Sequence, residues 1–131
     1  MAYGKNIDRI FYGGDYNPEQ WPQEVWEEDI RFMKKAHINL VTLNTFSWAA
    51  LQPSEDSYCF EKLDKIMDFV RKNGLKVCVA TSTGAHPAWM AKRHPDILRT
   101  DINGRKRKFG GRHNSCPKSP TYRKYRAELA G

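Results

Sequence analysis

Ile38-Asn39-Leu40-Val41-Thr42-Leu43-Asn44 is a short, apolar, β-branched run that closes on a polar residue. Such a run reads as a buried strand opening into a loop. Upstream, Val25, Trp26, Ile30 and Met33 recur at helical spacing among charged residues, and Pro22 suits a first helical position, which predicts an amphipathic helix from Pro22 to Ala36. Before that helix, Ile10-Phe11-Tyr12-Gly13-Gly14-Asp15-Tyr16 begins apolar and runs into glycines, predicting another strand. Downstream, Phe60, Leu63, Ile66, Met67 and Val70 share one helical face, with Asn73-Gly74 as the stop signal. Leu75-Lys76-Val77-Cys78-Val79-Ala80 follows at once and predicts a third strand, ending in Thr81-Ser82-Thr83-Gly84. Strand, helix, strand, helix, strand is the βαβ rhythm of a parallel sheet and places the chain in the α/β class.

The links are short on one side of this rhythm and long on the other. Thr45 to Cys59 carries Phe46 and Trp48. The longest loop follows the third strand: a short helix is expected at Pro87 to Arg93, then Arg99 to Lys118 is polar and glycine-rich. A last helix starts at Ser119-Pro120 and runs through Tyr122, Tyr125 and Leu129. Loops of this length in a compact domain are usually functional.

The 131 residues suffice for one modest domain, and 40% hydrophobic content is ordinary for a globular protein. A net charge of +7 would allow binding to phosphates, and Arg105-Lys106-Arg107-Lys108 resembles a nucleic-acid patch. That run falls in a hairpin-like loop around Asn103-Gly104 with only Phe109 beside it, so it reads as a solvated surface loop, and no nucleic-acid partner is expected. Cys59, Cys78 and Cys116 are odd in number and widely spaced, which argues against a disulfide framework and for a reducing, cytoplasmic setting. Met1 to Arg9 has no apolar signal region, and no run is long enough to span a membrane, so no membrane partner is expected.

Gly13-Gly14-Asp15-Tyr16-Asn17-Pro18-Glu19-Gln20-Trp21-Pro22 resembles the opening signature of the family 42 β-galactosidases. The order of later motifs is similar too: Phe46-Ser47-Trp48-Ala49, Pro87-Ala88-Trp89-Met90-Ala91, Arg112-His113, Cys116-Pro117, and Ser119-Pro120-Thr121-Tyr122-Arg123. The resemblance implies that residues 1–131 are a truncated N-terminal portion, about three β/α units, of a catalytic (β/α)8 TIM barrel in a much longer enzyme. Such an enzyme hydrolyses terminal β-D-galactosyl residues, in lactose or plant β-galactosides, with retention of configuration. It uses two glutamates about 5 Å apart, one acid/base and one nucleophile. In the family these follow the fourth and seventh strands, so both are expected beyond Gly131 and this chain alone is expected to be inactive. No cofactor is required for catalysis. The implied partners are a galactoside substrate and further copies of the full-length enzyme, as a homo-oligomer of three. Lys118 departs from the family's asparagine, which puts the local loop structure in question.

Arg112 is the expected substrate-binding residue: the resemblance implies contact with the galactosyl unit, and a guanidinium offers several fixed donors to sugar hydroxyls. The competing reading is a solvated loop arginine among 22 basic residues. Asp15, at a strand end, is read as a structural or sugar-hydroxyl partner, while Glu19 and Asp29 fall in a loop and on a helix, and none of the three is expected to be a catalytic acid. Trp21, Trp48 and Trp89 are read as packing residues first and sugar platforms second. Cys116 resembles the first of four cysteines that hold a structural zinc in some members, yet one ligand does not make a site, and a lone thiol is the alternative. His37, His86 and His94 are assigned no chemistry. Two other functions remain open at this level, a non-catalytic galactoside-binding fragment and a basic nucleic-acid-binding module. A cut parallel sheet exposes an edge and apolar surface together, so the isolated chain is expected to fold poorly.

Overall fold

A computed structural model describes residues 9–131. The stretch read for a signal sequence, Met1 to Arg9, lies outside the described residues except for Arg9. Three parallel strands form one sheet in the order β1 (Gly13–Asp15), β2 (Leu40–Leu43), β3 (Lys76–Val79). Helices α1 (Gln23–Lys35) and α3 (Glu61–Lys72) make the crossovers. The short helices α2 (Trp48–Leu51) and α4 (Ala88–Arg93) lie in the loops beyond β2 and β3, and α5 (Pro120–Ala130) ends the chain. The α/β reading and the five principal elements therefore stand, while α2 is an element that sequence periodicity was too short to show.

The first strand is shorter than its sequence run. Ile10 to Tyr12 is held mainly by Asn39 rather than by a ladder: Tyr12 N–H donates to Asn39 Oδ1 at 2.8 Å, Asn39 Nδ2 donates to the Ile10 carbonyl at 2.9 Å, and the Tyr12 carbonyl accepts from the backbone N–H groups of Asn39 at 3.0 Å and Leu40 at 3.3 Å. The ladder then begins with Gly13 opposite Leu40. A Cβ placed on Gly13 would lie 1.7 Å from the Leu40 carbonyl oxygen, so only glycine permits this strand to approach β2 so closely.

Both crossover helices end in the same way. Ile38 N–H bonds the Met33 carbonyl and His37 N–H the Lys34 carbonyl, and Leu75 with Val70 and Gly74 with Arg71 repeat the pattern. This is the Schellman arrangement, which needs a left-handed residue: Gly74 has φ 81° and His37 φ 58°. The next residues enter β2 and β3 directly, which is why the links at this end are so short.

The main core lies between the sheet and the two helices, built from Val41 and Leu43 of β2, Trp26 and Ile30 of α1, Ile66 and Val70 of α3, with Tyr16 and Leu75. Phe69, outside the predicted apolar face, packs on Trp26 with ring centroids 5.7 Å apart, while Phe60, included in that face, is exposed and stacked on Tyr58. The other face of the sheet is open: Cys78 is exposed, and β3 presents a free edge. A second core sits under the loops, where Trp48, Met90 and Ile97 pack against Tyr122 and Tyr125 of α5. Ser119 caps α5 by accepting from Tyr122 N–H at 3.1 Å, with Pro120 at the first helical position. Lys118 is exposed, and the turn around it is closed by Ser119 N–H to the Cys116 carbonyl at 3.1 Å.

The close approach at Gly13 has a testable consequence. Within the folded polypeptide that carries this segment, Gly13→Ala is expected to cost about 3 kcal/mol, because the β1–β2 backbone must separate. Gly14→Ala, where an added Cβ meets nothing within 4 Å, is expected to cost under about 1 kcal/mol. Denaturant unfolding of the two variants side by side measures the difference.

Candidate functional site

Parallel strands start and finish together, so the segments following β1, β2 and β3 all emerge at one end of the sheet. The polypeptide is unusually constrained there. Asn44, Ser82 and His113 all have left-handed backbones, at φ 71°, 58° and 56°, although none is glycine. Such conformations persist only when surrounding bonds enforce them. Here Asn44 Nδ2 donates to the Ala80 carbonyl at 3.1 Å, Ala80 N–H donates to the Leu43 carbonyl at 2.9 Å, and the Ser82 hydroxyl donates to the Asn44 carbonyl. The ends of β2 and β3 are thereby locked to each other beyond the last ladder pair. His113 N–H then donates to the Gly84 carbonyl at 3.0 Å, which draws the long loop back onto the end of β3.

Arg112 stands on this rim. Its guanidinium carbon lies 5.1 Å from the centroid of the Phe46 ring, and its Nε donates to His113 Nε2 at 3.2 Å. Both Arg112 and Phe46 are exposed, so the donors not used by His113 face solvent at the open end of the sheet. The loop that carries Arg112 is anchored on its other side: Cys116 N–H bonds the Ile97 carbonyl at 2.6 Å, and the Tyr122 hydroxyl of α5 donates to the Thr83 carbonyl at 2.6 Å. Three buried side-chain atoms have no partner among the described residues, Asn17 Oδ1, Thr45 Oγ1 and His86 Nε2, and one lies in the segment after each strand.

The other residues singled out from sequence are mostly structural. The Tyr16 hydroxyl donates to Asp29 at 3.0 Å, and burial followed by this carboxylate pushes the phenol well above its usual range. The Glu19 carboxylate accepts from the Ser47 hydroxyl at 3.0 Å, tying the segment after β1 to the loop after β2. Asp15 is exposed on β1. Trp48 is fully buried, and Trp89 donates its indole N–H to the Gln52 carbonyl at 2.9 Å while its ring meets Tyr125 edge-on. Those two pack as expected; Trp21 does not, being 58% exposed. His37, His86 and His94 lie in separate settings. His86 is buried with Nδ1 2.7 Å from the Ser115 hydroxyl, and burial lowers its pKa, which favours the neutral ring.

Cys116 is half-buried. Among the described residues no group of three or more His, Cys, Asp or Glu side chains is placed to hold a metal ion, so these residues do not make up a zinc site by themselves. The Cys59 thiol donates to Glu61 at 2.9 Å, which raises its pKa and makes it a poor nucleophile. An apolar cavity of about 140 Å³ lies between the end of β2, α2 and α3, walled by Leu43, Leu51, Leu63 and Ile66. Its lining also includes Glu19, Asn44, Ser47, Cys59 and Lys62.

One cluster was not legible in the sequence. Glu55, in the loop after β2, accepts from the Tyr125 hydroxyl, from Arg93 Nη1 at 2.7 Å, and lies 2.9 Å from His94 Nε2. It joins α4 and α5 to the β2 loop. The Tyr125 hydroxyl first, then Arg93 and His94, hold the Glu55 carboxyl down to about 2, and Glu55 in turn pushes Tyr125 up to about 12. Gln52 completes the joint, fully buried with its amide donating to the Glu55 carbonyl and the Tyr58 hydroxyl and accepting from the Trp48 indole at 2.9 Å.

A parallel α/β sheet whose strand ends share one constrained rim, with an outward guanidinium on it, defines a scaffold of the kind that binds polar ligands at the carboxyl ends of its strands. The sequence pattern of the glycoside hydrolase family 42, β-galactosidase, matches residues 15–131, and the chain belongs to that family. It is 60% identical over 125 residues to the β-galactosidase BgaP of Planococcus sp. (strain L4), an alignment covering 95% of this chain and 18% of the relative. Among solved structures, a β-galactosidase from Bacillus circulans sp. alkalophilus superposes with a TM-score of 0.93 at 59% identity, over 96% of this chain and 19% of the other. The cold-adapted β-galactosidase of Rahnella sp. R3 superposes with a TM-score of 0.91 at 38% identity, over 95% of this chain and 19% of the other. The chain thus spans under one-fifth of the length of the relatives it matches.

The Glu55 cluster sets a pH dependence. Its folded-state carboxyl lies at about 2 against an ordinary 4.5, so the stabilisation is complete above about pH 4.5 and is lost as pH falls toward 2. Melting temperature followed across that interval is expected to fall more steeply in the wild type than in Glu55→Gln, which has no carboxyl to titrate; parallel curves would contradict the assignment.

Proposed function

We propose that this chain forms the first three β/α units of a closed (β/α)8 catalytic barrel in a retaining β-galactosidase that removes terminal β-D-galactosyl units, from lactose or plant β-galactosides. The observation that carries the reading is the position of Arg112 on the rim, held at the end of β3 by the bond from His113 to Gly84. Its exposed N–H groups are arranged to donate to hydroxyls of the galactosyl ring, fixing the sugar's orientation at the mouth of the barrel. The acid/base and nucleophilic glutamates belong to later strands of the complete barrel, so this segment binds and orients but does not itself transfer protons or attack the anomeric carbon. No cofactor enters that chemistry.

The open face of the sheet and the free edge of β3 fit this reading, since in a closed barrel both are covered by the remaining strands. Cys116 would provide one thiolate to a structural zinc, with the remaining ligands supplied from outside this segment. The complete enzyme is read as a cytoplasmic homotrimer. Among the described residues no helix is long and apolar enough to cross a membrane.

In the complete polypeptide, Arg112→Ala is expected to lower kcat/KM for a nitrophenyl β-galactoside roughly ten- to hundredfold, the loss associated with hydrogen bonds from a charged donor. Arg112→Lys is expected to recover only part of it, because an ammonium lacks the planar fork. Steady-state kinetics check this, and an unchanged kcat/KM in Arg112→Ala would remove the assignment.

A further inference from the structure

Phe46 is an anomaly in its surroundings. It is 41% exposed and belongs to neither core, although it follows directly on the left-handed turn at Asn44 and the clasp to Ala80 and Ser82. Within this segment neither apolar cluster accounts for its being aromatic. What it does contact is the guanidinium of Arg112, 5.1 Å from its centroid, and the space beside Gly84. A Cβ added to Gly84 would sit 3.6 Å from Phe46 Cε1 and 3.6 Å from His113 Cε1, so the glycine lies between the two residues that flank the arginine.

We propose that Phe46 is a positioning residue for Arg112: its ring supports one face of the guanidinium, so that the in-plane N–H groups point at the sugar. The proposal rests on the reading of Arg112 as the galactosyl contact. Its physical basis is entropic as well as electrostatic. An arginine carries much rotamer freedom, and ordering it on binding opposes affinity. A guanidinium lying on an aromatic face is already ordered by cation–π attraction, and stacking uses the faces of the group while leaving the donor edge free. The bond from Arg112 Nε to His113 holds the near end of the fork, and the Phe46 ring lies 5.1 Å from its central carbon. The loop after β2 thereby acts on a residue in the loop after β3, and the clasp between Asn44 and Ser82 keeps those two loops at a constant distance.

The test is a double-mutant cycle on galactose affinity in the complete polypeptide, measured by calorimetry. Phe46→Leu is expected to weaken binding about two- to fivefold, the range for an exposed cation–π contact, and Phe46→Tyr to restore it. In an Arg112→Ala background, Phe46→Leu is expected to cost nothing further. An equal loss in both backgrounds, or no loss in either, overturns the proposal. If Arg112→Ala leaves galactose affinity unchanged, the sugar-binding reading of Arg112 fails by itself. The support from Phe46 is then judged by the NMR signal of Arg112 Hε. A ring-shifted signal in wild type and Phe46→Tyr that relaxes in Phe46→Leu upholds the support, and one that Phe46→Leu does not move refutes it.

Discussion

The parallel register of β1, β2 and β3 is the constraint from which the rest follows. It brings three chain segments out at a common level, and it depends on one atom-scale condition, the absence of a Cβ at Gly13 where β1 meets the Leu40 carbonyl. Beyond the ladder, the side chains of Asn44 and Ser82 continue the pairing of β2 with β3 by two further bonds, at the expense of two left-handed backbones. Strain of this sort costs on the order of 1–3 kcal/mol per residue and tends to gather where geometry matters for function. At the other end of the sheet the demands are lighter, and two Schellman turns suffice.

The two cores divide the work. The one between sheet and helices fixes the strands, and the one under the loops, centred on Trp48, Met90, Tyr122 and Tyr125, fixes what emerges from them. Glu55 and Gln52 are polar members of the second assembly: Glu55 is satisfied by Arg93, His94 and Tyr125, and the buried Gln52 side chain by Trp48, the Glu55 carbonyl and Tyr58 of its own segment. Buried polar groups satisfied in this way specify one arrangement where apolar packing would tolerate several. The segment after β2 is thereby tied to α4 and α5 at Glu55, and the long loop after β3 is held back beyond Arg112 by His113 N–H to Gly84 and Cys116 N–H to Ile97.

Elements set by local periodicity were legible in the sequence: α1, α3 and α5 fall within a residue or two of their expected limits, because their apolar spacing and end signals are carried by neighbours in the chain. The hairpin-like turn at Asn103-Gly104 is present too, with Thr100 bridged to Lys106 and φ 75° at Gly104. Features set by distant partners were not legible. Glu55 meets Tyr125 across most of the chain, and nothing near Glu55 in sequence announces it. Ile10 to Tyr12 carries strand composition, yet Asn39 takes up its backbone groups. Trp21 and Trp48 share a residue type and a loop position, but only Trp48 has a cavity between helices to fill. The motif around Arg112 marked a residue of interest without indicating that an aromatic ring from another loop would lie beneath it.

The measurement that bears most directly on the rim as a galactoside site is a crystal structure of the complete polypeptide soaked with galactose. The expected result is a sugar seated at the carboxyl ends of the strands, its hydroxyls within hydrogen-bonding distance of the Arg112 guanidinium. A sugar bound elsewhere, or segments after β2 and β3 leaving from opposite ends of the sheet, would contradict it.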